Sequence, residues 1–157
     1  MAKYEIITEW KFDEPVHEIF DLIREMNTWQ EWWQSIKKVE KVVHGFEAGQ
    51  GSLYHCVFKG LLPLKIKFTQ VISGVVVNEL VEGNVHGDIT GFLNWEFSKK
   101  NDSTILKCHF KIHDSRPFTH FTSFLLFPIY LLNYQYIFKK GKKGLALRLK
   151  EKVLTPV

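Results

Sequence analysis

An uncharged stretch near the C-terminus limits what this chain can fold into. Residues 118–138 include no Asp, Glu, Lys or Arg, and most of them are large and apolar or aromatic. A helix that is apolar around its whole circumference must be buried in protein or in lipid. Four lysines follow, namely Lys139, Lys140, Lys142 and Lys143. We therefore predict one long C-terminal helix, kinked near Pro128, whose apolar part lies in the hollow of a sheet formed by the preceding chain.

The preceding chain has the alternation of strands. Apolar side chains at Tyr4, Ile6, Trp10 and Phe12 alternate with polar ones, which predicts a half-buried first strand. Pro15 then favours a helix start, and a second short helix is predicted over residues 27–33. Six further strands are predicted over residues 39–44, 52–59, 64–69, 75–85, 89–97 and 104–113.

This order predicts an α+β fold of helix-grip type in a single domain, residues 1–157. In such a fold a curved antiparallel β-sheet of about seven strands wraps around a long C-terminal α-helix, and two short helices follow strand 1. Strands with one apolar face need a cover, and the long apolar helix can supply it. A chain of 157 residues is long enough to bury a sizeable core.

Charge and cysteine content narrow the functional classes. The formal net charge is +4, and this excess is concentrated in the lysine-rich tail. Cys56 and Cys108 lie far apart, which favours reduced, buried thiols in an intracellular protein. The first ten residues read as a strand rather than a leader, so we expect a cytoplasmic protein. The basic residues lack interleaved aromatics, so no nucleic-acid partner is expected.

Four segments resemble a known superfamily. They are FDEPVHEIFDLI at 12–23, MNTWQEWWQSI at 26–36, GLLP at 60–63 and GDITG at 87–91. Together with the order of elements, they resemble the START-like superfamily, which includes birch-pollen-allergen proteins and polyketide cyclase-like proteins. The resemblance covers nearly the whole chain. It implies a deep, mostly apolar cavity between the sheet and the last helix, in which members hold lipids, sterols, polyketides or hormones.

The main hypothesis is therefore binding, or binding and transport, of a hydrophobic small molecule or lipid in that cavity. Alternation predicts the residues that face the ligand from the strands, namely Trp10, Phe12, Phe68, Trp95, Phe97, Phe110 and Ile112. From the helix we predict Phe121, Leu125, Ile129 and Tyr136. Tyr54 and His55 form a polar pair on a strand whose two faces do not separate by polarity. Tyr54 is included in the predicted ligand-binding set.

The first alternative is an enzyme of the polyketide cyclase or dehydratase type acting in the same cavity. His55, Glu79, His86 and Asp88 fall on the middle strands, and a polar group raised into an apolar cavity would have a shifted pKa. Such a group can perform acid–base catalysis. The seven histidines are scattered and neither cysteine has a partner at ligand spacing, so no metal or other cofactor is expected.

The second alternative is a protein that docks on a membrane or a partner through its C-terminal helix. Lys139, Lys140, Lys142 and Lys143 directly follow the apolar stretch, an arrangement typical of an apolar helix that meets anionic headgroups. The cluster of Trp29, Trp32 and Trp33 has two interpretations, which are packing in the core and direct contact with a ligand.

Overall fold

The computed structural model describes the backbone of residues 2–154 and the side chains of residues 3–117 and 125–151. Seven strands and three α-helices make up this part of the chain. The strands are β1 (Ala2–Phe12), β2 (Ile36–Val43), β3 (Leu53–Lys59), β4 (Lys65–Val76), β5 (Leu80–Gly87), β6 (Ile89–Lys100) and β7 (Ser103–Asp114). The helices are α1 (Val16–Arg24), α2 (Trp29–Trp32), preceded by a 3-10 turn at Met26–Thr28, and α3 (Pro117–Leu154).

The seven strands form one antiparallel sheet in the order β1-β7-β6-β5-β4-β3-β2. Strands β2 to β6 each pair with the next strand along the chain, and β1 forms the opposite edge by pairing with β7. One face of the curved sheet carries the buried apolar residues and is covered by α3. The predicted α+β helix-grip class is confirmed.

The predicted bounds of β4 and β5 are wrong. The sequence favoured a single strand over residues 75–85, whereas the structure has a turn between β4 and β5 within that range. Asn78 lies in this turn with a φ of 63°, and Glu79 N–H donates to the Val76 carbonyl. The residues on both sides of the turn are apolar, so the sequence there resembles one continuous strand. Asn is among the residues that adopt positive φ most readily.

The α1–α2 segment closes one end of the hollow through its tryptophans. Trp29, Trp32 and Trp33 are buried, and the Trp33 indole N–H donates to the Ile137 carbonyl of α3 at 2.7 Å. Trp29 instead donates to the carbonyls of Leu22 and Ile23 in α1. These bonds tie the α1–α2 segment to itself and to the C-terminal helix, so two of the three indoles have defined structural roles.

Helix α3 is continuous through Pro128 and turns one face toward the sheet. The buried residues of this face are Tyr130, Asn133, Tyr134, Ile137, Phe138, Gly141, Leu145 and Leu149. Gly141 and Gly144 both permit a close approach, because a Cβ at Gly141 would lie 2.6 Å from Cε2 of Trp33 and a Cβ at Gly144 would overlap the Trp32 carbonyl oxygen. Within the described residues, no helix combines the length and the hydropathy that crossing a bilayer requires.

Candidate ligand-binding site

The interior between the sheet and α3 is lined by aromatic side chains. Trp33 lies at its centre, with ring centroids between 5.2 and 6.3 Å from those of Trp10, Trp29, Trp32, Phe58, Trp95 and Phe138. These rings come from β1, β3, β6, α2 and α3. Aromatic side chains bury large apolar areas and prefer edge-on and offset-stacked arrangements; here Trp32 stacks on Trp33 and the other rings are tilted or edge-on to it. This end of the hollow is therefore densely packed beneath the second half of α3.

The strand residues predicted to face a ligand lie on this inner face. Trp10, Phe12, Tyr54, Phe68, Trp95, Phe97, Phe110 and Ile112 are all buried. Of the polar pair on β3, Tyr54 is buried and points inward, whereas His55 is exposed and points outward. Whether these residues contact a ligand stays a prediction.

The helix residues predicted to face inward are placed differently. Leu125 is 77% exposed and Ile129 is 45% exposed, so both lie on the outer face of α3 and their predicted direction is wrong. Tyr136 is only partly buried and packs under the ammonium group of Lys140, 5.3 Å from the ring centroid, rather than against the sheet. The side chain of Phe121 lies outside the described residues.

A buried glutamine interrupts the apolar inner face. Inward-facing residues on β4 follow the order Ile66, Phe68, Gln70, Ile72, and Gln70 is fully buried. Among the described residues, neither its amide nitrogen nor its amide oxygen has a hydrogen-bond partner. Leaving a buried amide unpaired costs about 1–3 kcal/mol. A polar group of this kind, aimed into the core, is the arrangement that a ligand or ordered water would satisfy.

A glycine on the neighbouring strand leaves room for the Gln70 side chain. Gln70 pairs with Tyr54 on β3 and with Val85 on β5. A Cβ at Gly83 would lie 2.5 Å from the Gln70 amide nitrogen, so only glycine leaves this room. Trp95 pairs with Val81, two residues before Gly83, and its indole N–H also has no partner among the described residues.

A second polar group lies under the first half of α3. Asp114 and Arg116 form a bidentate ion pair, with Arg116 Nη2 2.6 Å and Nε 3.0 Å from the two carboxylate oxygens. Tyr134 donates to the same carboxylate at 3.3 Å. Burial and the nearby Asp114 carboxylate raise the pKa of Tyr4 to about 12. This cluster joins β1 and β7 to α3, and Asp114 is already engaged by charged and hydroxyl donors.

The four residues proposed as acid–base groups do not enter the interior. His55, Glu79 and His86 are exposed, and Asp88 is partly buried with its carboxylate accepting from the Lys67 backbone N–H at 2.9 Å. His55 Nδ1 lies 3.0 Å from Thr69 Oγ1 on the outer face of the sheet. The enzyme alternative requires one of them to point into the cavity beside a second polar group, and none does. Because side chains alternate along a strand, the inward positions next to His55 and His86 belong to Tyr54 and Val85.

Both cysteines are buried thiols without a catalytic setting. Burial alone raises the pKa of Cys56 to about 12 and that of Cys108 well above its usual value. A nucleophilic cysteine needs the opposite shift, because the thiolate is the reactive form. Within the described part of the chain, no three histidine, cysteine or carboxylate groups lie close enough to hold one metal ion.

Sequence reasoning missed Gln70, Asp114 and Arg116. The strand containing Gln70 was predicted to end at Thr69, seven residues before its end at Val76. Continuing the alternation from Ile66 and Phe68 would have placed Gln70 inward. Asp114 and Arg116 lie where β7 gives way to α3, and no pattern of the sequence signals a buried ion pair there.

Comparison with known proteins identifies the fold. No protein-family model and no curated protein sequence matches the chain. Among solved structures, a START superfamily protein from Mycobacterium smegmatis has a TM-score of 0.76 at 12% identity, covering 97% of this chain and 99% of its own. The Zhui aromatase/cyclase from a Streptomyces species has a TM-score of 0.72 at 8% identity, covering 97% and 96%. Ara h 8.0201 has a TM-score of 0.57 at 11% identity, covering 92% and 98%. The chain therefore has the START-like, helix-grip fold.

Proposed function

We propose that this protein binds a hydrophobic small molecule or lipid between the inner face of the sheet and α3. The observation that carries the proposal is Gln70, a fully buried amide with both polar atoms unpartnered among the described residues. Ligand sites are mostly apolar clefts with a few polar groups that fix orientation. Gln70 is suited to that role, with Trp95 Nε1 as a further donor.

The chemistry of the site favours a ligand with an apolar body and one polar group. The inner face around Gln70 offers Tyr54, Phe68, Ile72 and Val85. Each Å² of apolar surface removed from water contributes about 25 cal/mol. The Gln70 amide can donate and accept at once. A carboxylic acid or hydroxyl group at the end of a hydrocarbon or ring system would satisfy it.

The structural neighbours are consistent with this proposal and with a second chemistry. One neighbour is described as a START superfamily protein and another as an aromatase/cyclase. An enzyme of the cyclase or dehydratase type would need an acid–base group in the interior. His55, Glu79, His86 and Asp88 lie on the outside or at its edge, so we favour binding over catalysis.

Native mass spectrometry of the freshly purified chain tests the proposal. We expect a stoichiometric adduct that organic extraction releases as an apolar compound. A protein that carries no adduct and also takes up none of a panel of fatty acids, sterols and fluorescent lipid probes would contradict it.

The substitution Gln70→Leu tests the orienting role. It removes the amide while keeping the side-chain size, so adduct retention should fall and the dissociation constant of the extracted ligand should rise about tenfold, the effect of losing a hydrogen bond worth roughly 1.5 kcal/mol. Gln34→Leu is the matched control, because Gln34 is exposed. Equal adduct retention in both variants would mean that Gln70 does not contact the ligand.

A further inference from the structure

The outer face of α3 is apolar over its first half. Leu125, Ile129 and Leu132 are 77%, 45% and 57% exposed. At 100° per residue these positions and Tyr136 fall on one side of the helix. We call Leu125, Ile129, Leu132 and Tyr136 the outer stripe. Neighbouring exposed leucines and isoleucines of this kind mark interaction sites more often than scattered single ones do.

The same face is strongly basic over its second half. Lys139, Lys140, Lys142 and Lys143, the lysine cluster, line a surface depression of about 440 Å³ together with Tyr136 and Ala146. None of the four forms an ion pair with another described residue. Residues 117–150 include no Asp or Glu. The positive charge of the cluster is therefore not neutralised by its own helix.

From this arrangement we infer that α3 docks the protein on the surface of an anionic lipid bilayer. The outer stripe enters the boundary between headgroups and acyl chains, and the lysine cluster contacts the phosphates and other anionic headgroups. Amphipathic helices bind bilayers in this way, with the apolar face buried about 5–10 Å. Tyr136 lies between the two halves, the level at which aromatic side chains are enriched in membrane proteins.

The shape and charge of this face favour a bilayer over a protein partner. The outer stripe is a convex ridge on a helix, and a bilayer accepts a ridge without a complementary groove. Its charge is complementary to the negative surface potential of anionic lipids, which attracts clusters of lysines. The inference does not depend on what the interior binds, because the outer stripe and the inner face of α3 are opposite sides of the same helix.

Vesicle flotation of the full chain tests the inference. We expect binding to phosphatidylcholine vesicles that contain about a quarter phosphatidylserine, and little binding to pure phosphatidylcholine. Binding should weaken as salt rises from about 0.1 M to 1 M, because the Debye length shortens from about 10 to 3 Å.

A charge-matched pair of variants separates the lysine cluster from net charge. Replacing Lys139, Lys140, Lys142 and Lys143 by Gln should lower the partition coefficient about a hundredfold or more, at roughly fivefold per lysine. The control replaces Lys99, Lys100, Lys107 and Lys111 by Gln. These four are exposed on the β6–β7 hairpin, away from α3, and the control should retain most of the binding.

A fluorescent label tests the entry of the outer stripe. Cys56 and Cys108 are buried, so a Leu132→Cys variant carries one accessible thiol for an environment-sensitive probe. We expect a blue shift on adding anionic vesicles. A probe on Lys107→Cys, on the outer face of the sheet, should show none.

Three results would overturn the inference. The first is an absence of binding to anionic vesicles. The second is an equal loss of binding in the two lysine variants, which would show that binding depends on the net charge of the protein and not on the position of the lysine cluster. The third is a probe at Leu132→Cys that shifts with protein concentration rather than with lipid, which would make the outer stripe a contact with a second copy of the chain or another protein.

Discussion

A single side chain, Gln70, distinguishes this core from one built only for stability. Its neighbours on β4, Phe68 and Ile72, are apolar, and an apolar residue at position 70 would continue their packing. A buried amide without partners lowers the free energy of unfolding, whereas an apolar group of similar shape does not carry this penalty. The position is therefore one where function and stability favour different residues.

Gln70→Leu should consequently stabilise the ligand-free protein. We expect the free energy of unfolding to rise by about 1–3 kcal/mol, the penalty for an unpaired buried amide. Urea unfolding of delipidated protein measures this change. The exposed control Gln34→Leu should stay within about 0.5 kcal/mol of the parent chain. A loss of stability in Gln70→Leu would show that the amide is satisfied in the native protein.

The alternation of side chains along the strands explains why most inward-facing residues could be predicted from the sequence and Gln70 could not. Trp10, Phe68 and Trp95 were identified as inward because a strand has only two sides. The same rule extends to Gln70, but a polar residue in a core conflicts with the hydrophobic pattern that reveals the core. Functional polar groups are the expected exceptions to such patterns.

At the scale of elements, α3 shows the limit of pattern reasoning. Its length, apolar character and role as a cover were predicted, yet Leu125 and Ile129 were assigned to the wrong side. A helix that is apolar all round has no polar face to reveal its orientation. Its rotation is set instead by contacts distant in sequence, such as the fit of Gly141 against Trp33 and the bond between Asn133 Oδ1 and the Leu62 N–H.

Gly141→Ala tests this fit. In an exposed helix the change would stabilise by up to about 1 kcal/mol through helix propensity. Here the new methyl group would lie 2.6 Å from the Trp33 ring, so we expect a net loss of about 1–3 kcal/mol from overpacking. Thermal or urea unfolding measures it, with the exposed neighbour Lys142→Ala as control.

Two results of this experiment distinguish packing from propensity. If α3 packs as described, shrinking the partner in a Trp33→Leu background should reduce the cost of Gly141→Ala. A Gly141→Ala variant more stable than the parent chain would instead mean that α3 does not approach Trp33 closely.

At the scale of the whole molecule, the buried thiols and phenols couple folding to alkaline pH. Burial raises the pKa of Cys56, Tyr4 and Tyr54 to about 12, and it also raises those of Cys108 and Tyr134. The usual values are 9.0 for the thiols and 10.0 for the phenols. Between these values and the raised ones, the unfolded chain has released protons that the folded chain still holds. Stability is therefore fully present below about pH 9 and is lost as pH rises toward 12.

The free energy of unfolding should fall by about 3 kcal/mol between pH 9 and pH 10, chiefly from the two thiols with smaller contributions from the three phenols. Urea unfolding at a series of pH values measures it. The curve should be nearly flat between about pH 7.5 and 8.5, where these groups are protonated in both states. A flat curve up to about pH 10.5 would contradict the burial of Cys56 and Cys108.

The pairing of β1 with β7 has a consequence for synthesis of the chain. Ninety residues lie between Phe12, the last residue of β1, and Ser103, the first residue of β7. At about 5–20 residues per second, a ribosome takes roughly 5–20 s to reach β7 after completing β1. Until then Tyr4, Ile6 and Trp10 have neither their partner strand nor α3. The first strand to be made is thus among the last to be covered, and a translational pause before Ser103 would leave its apolar residues open to chaperones or to aggregation.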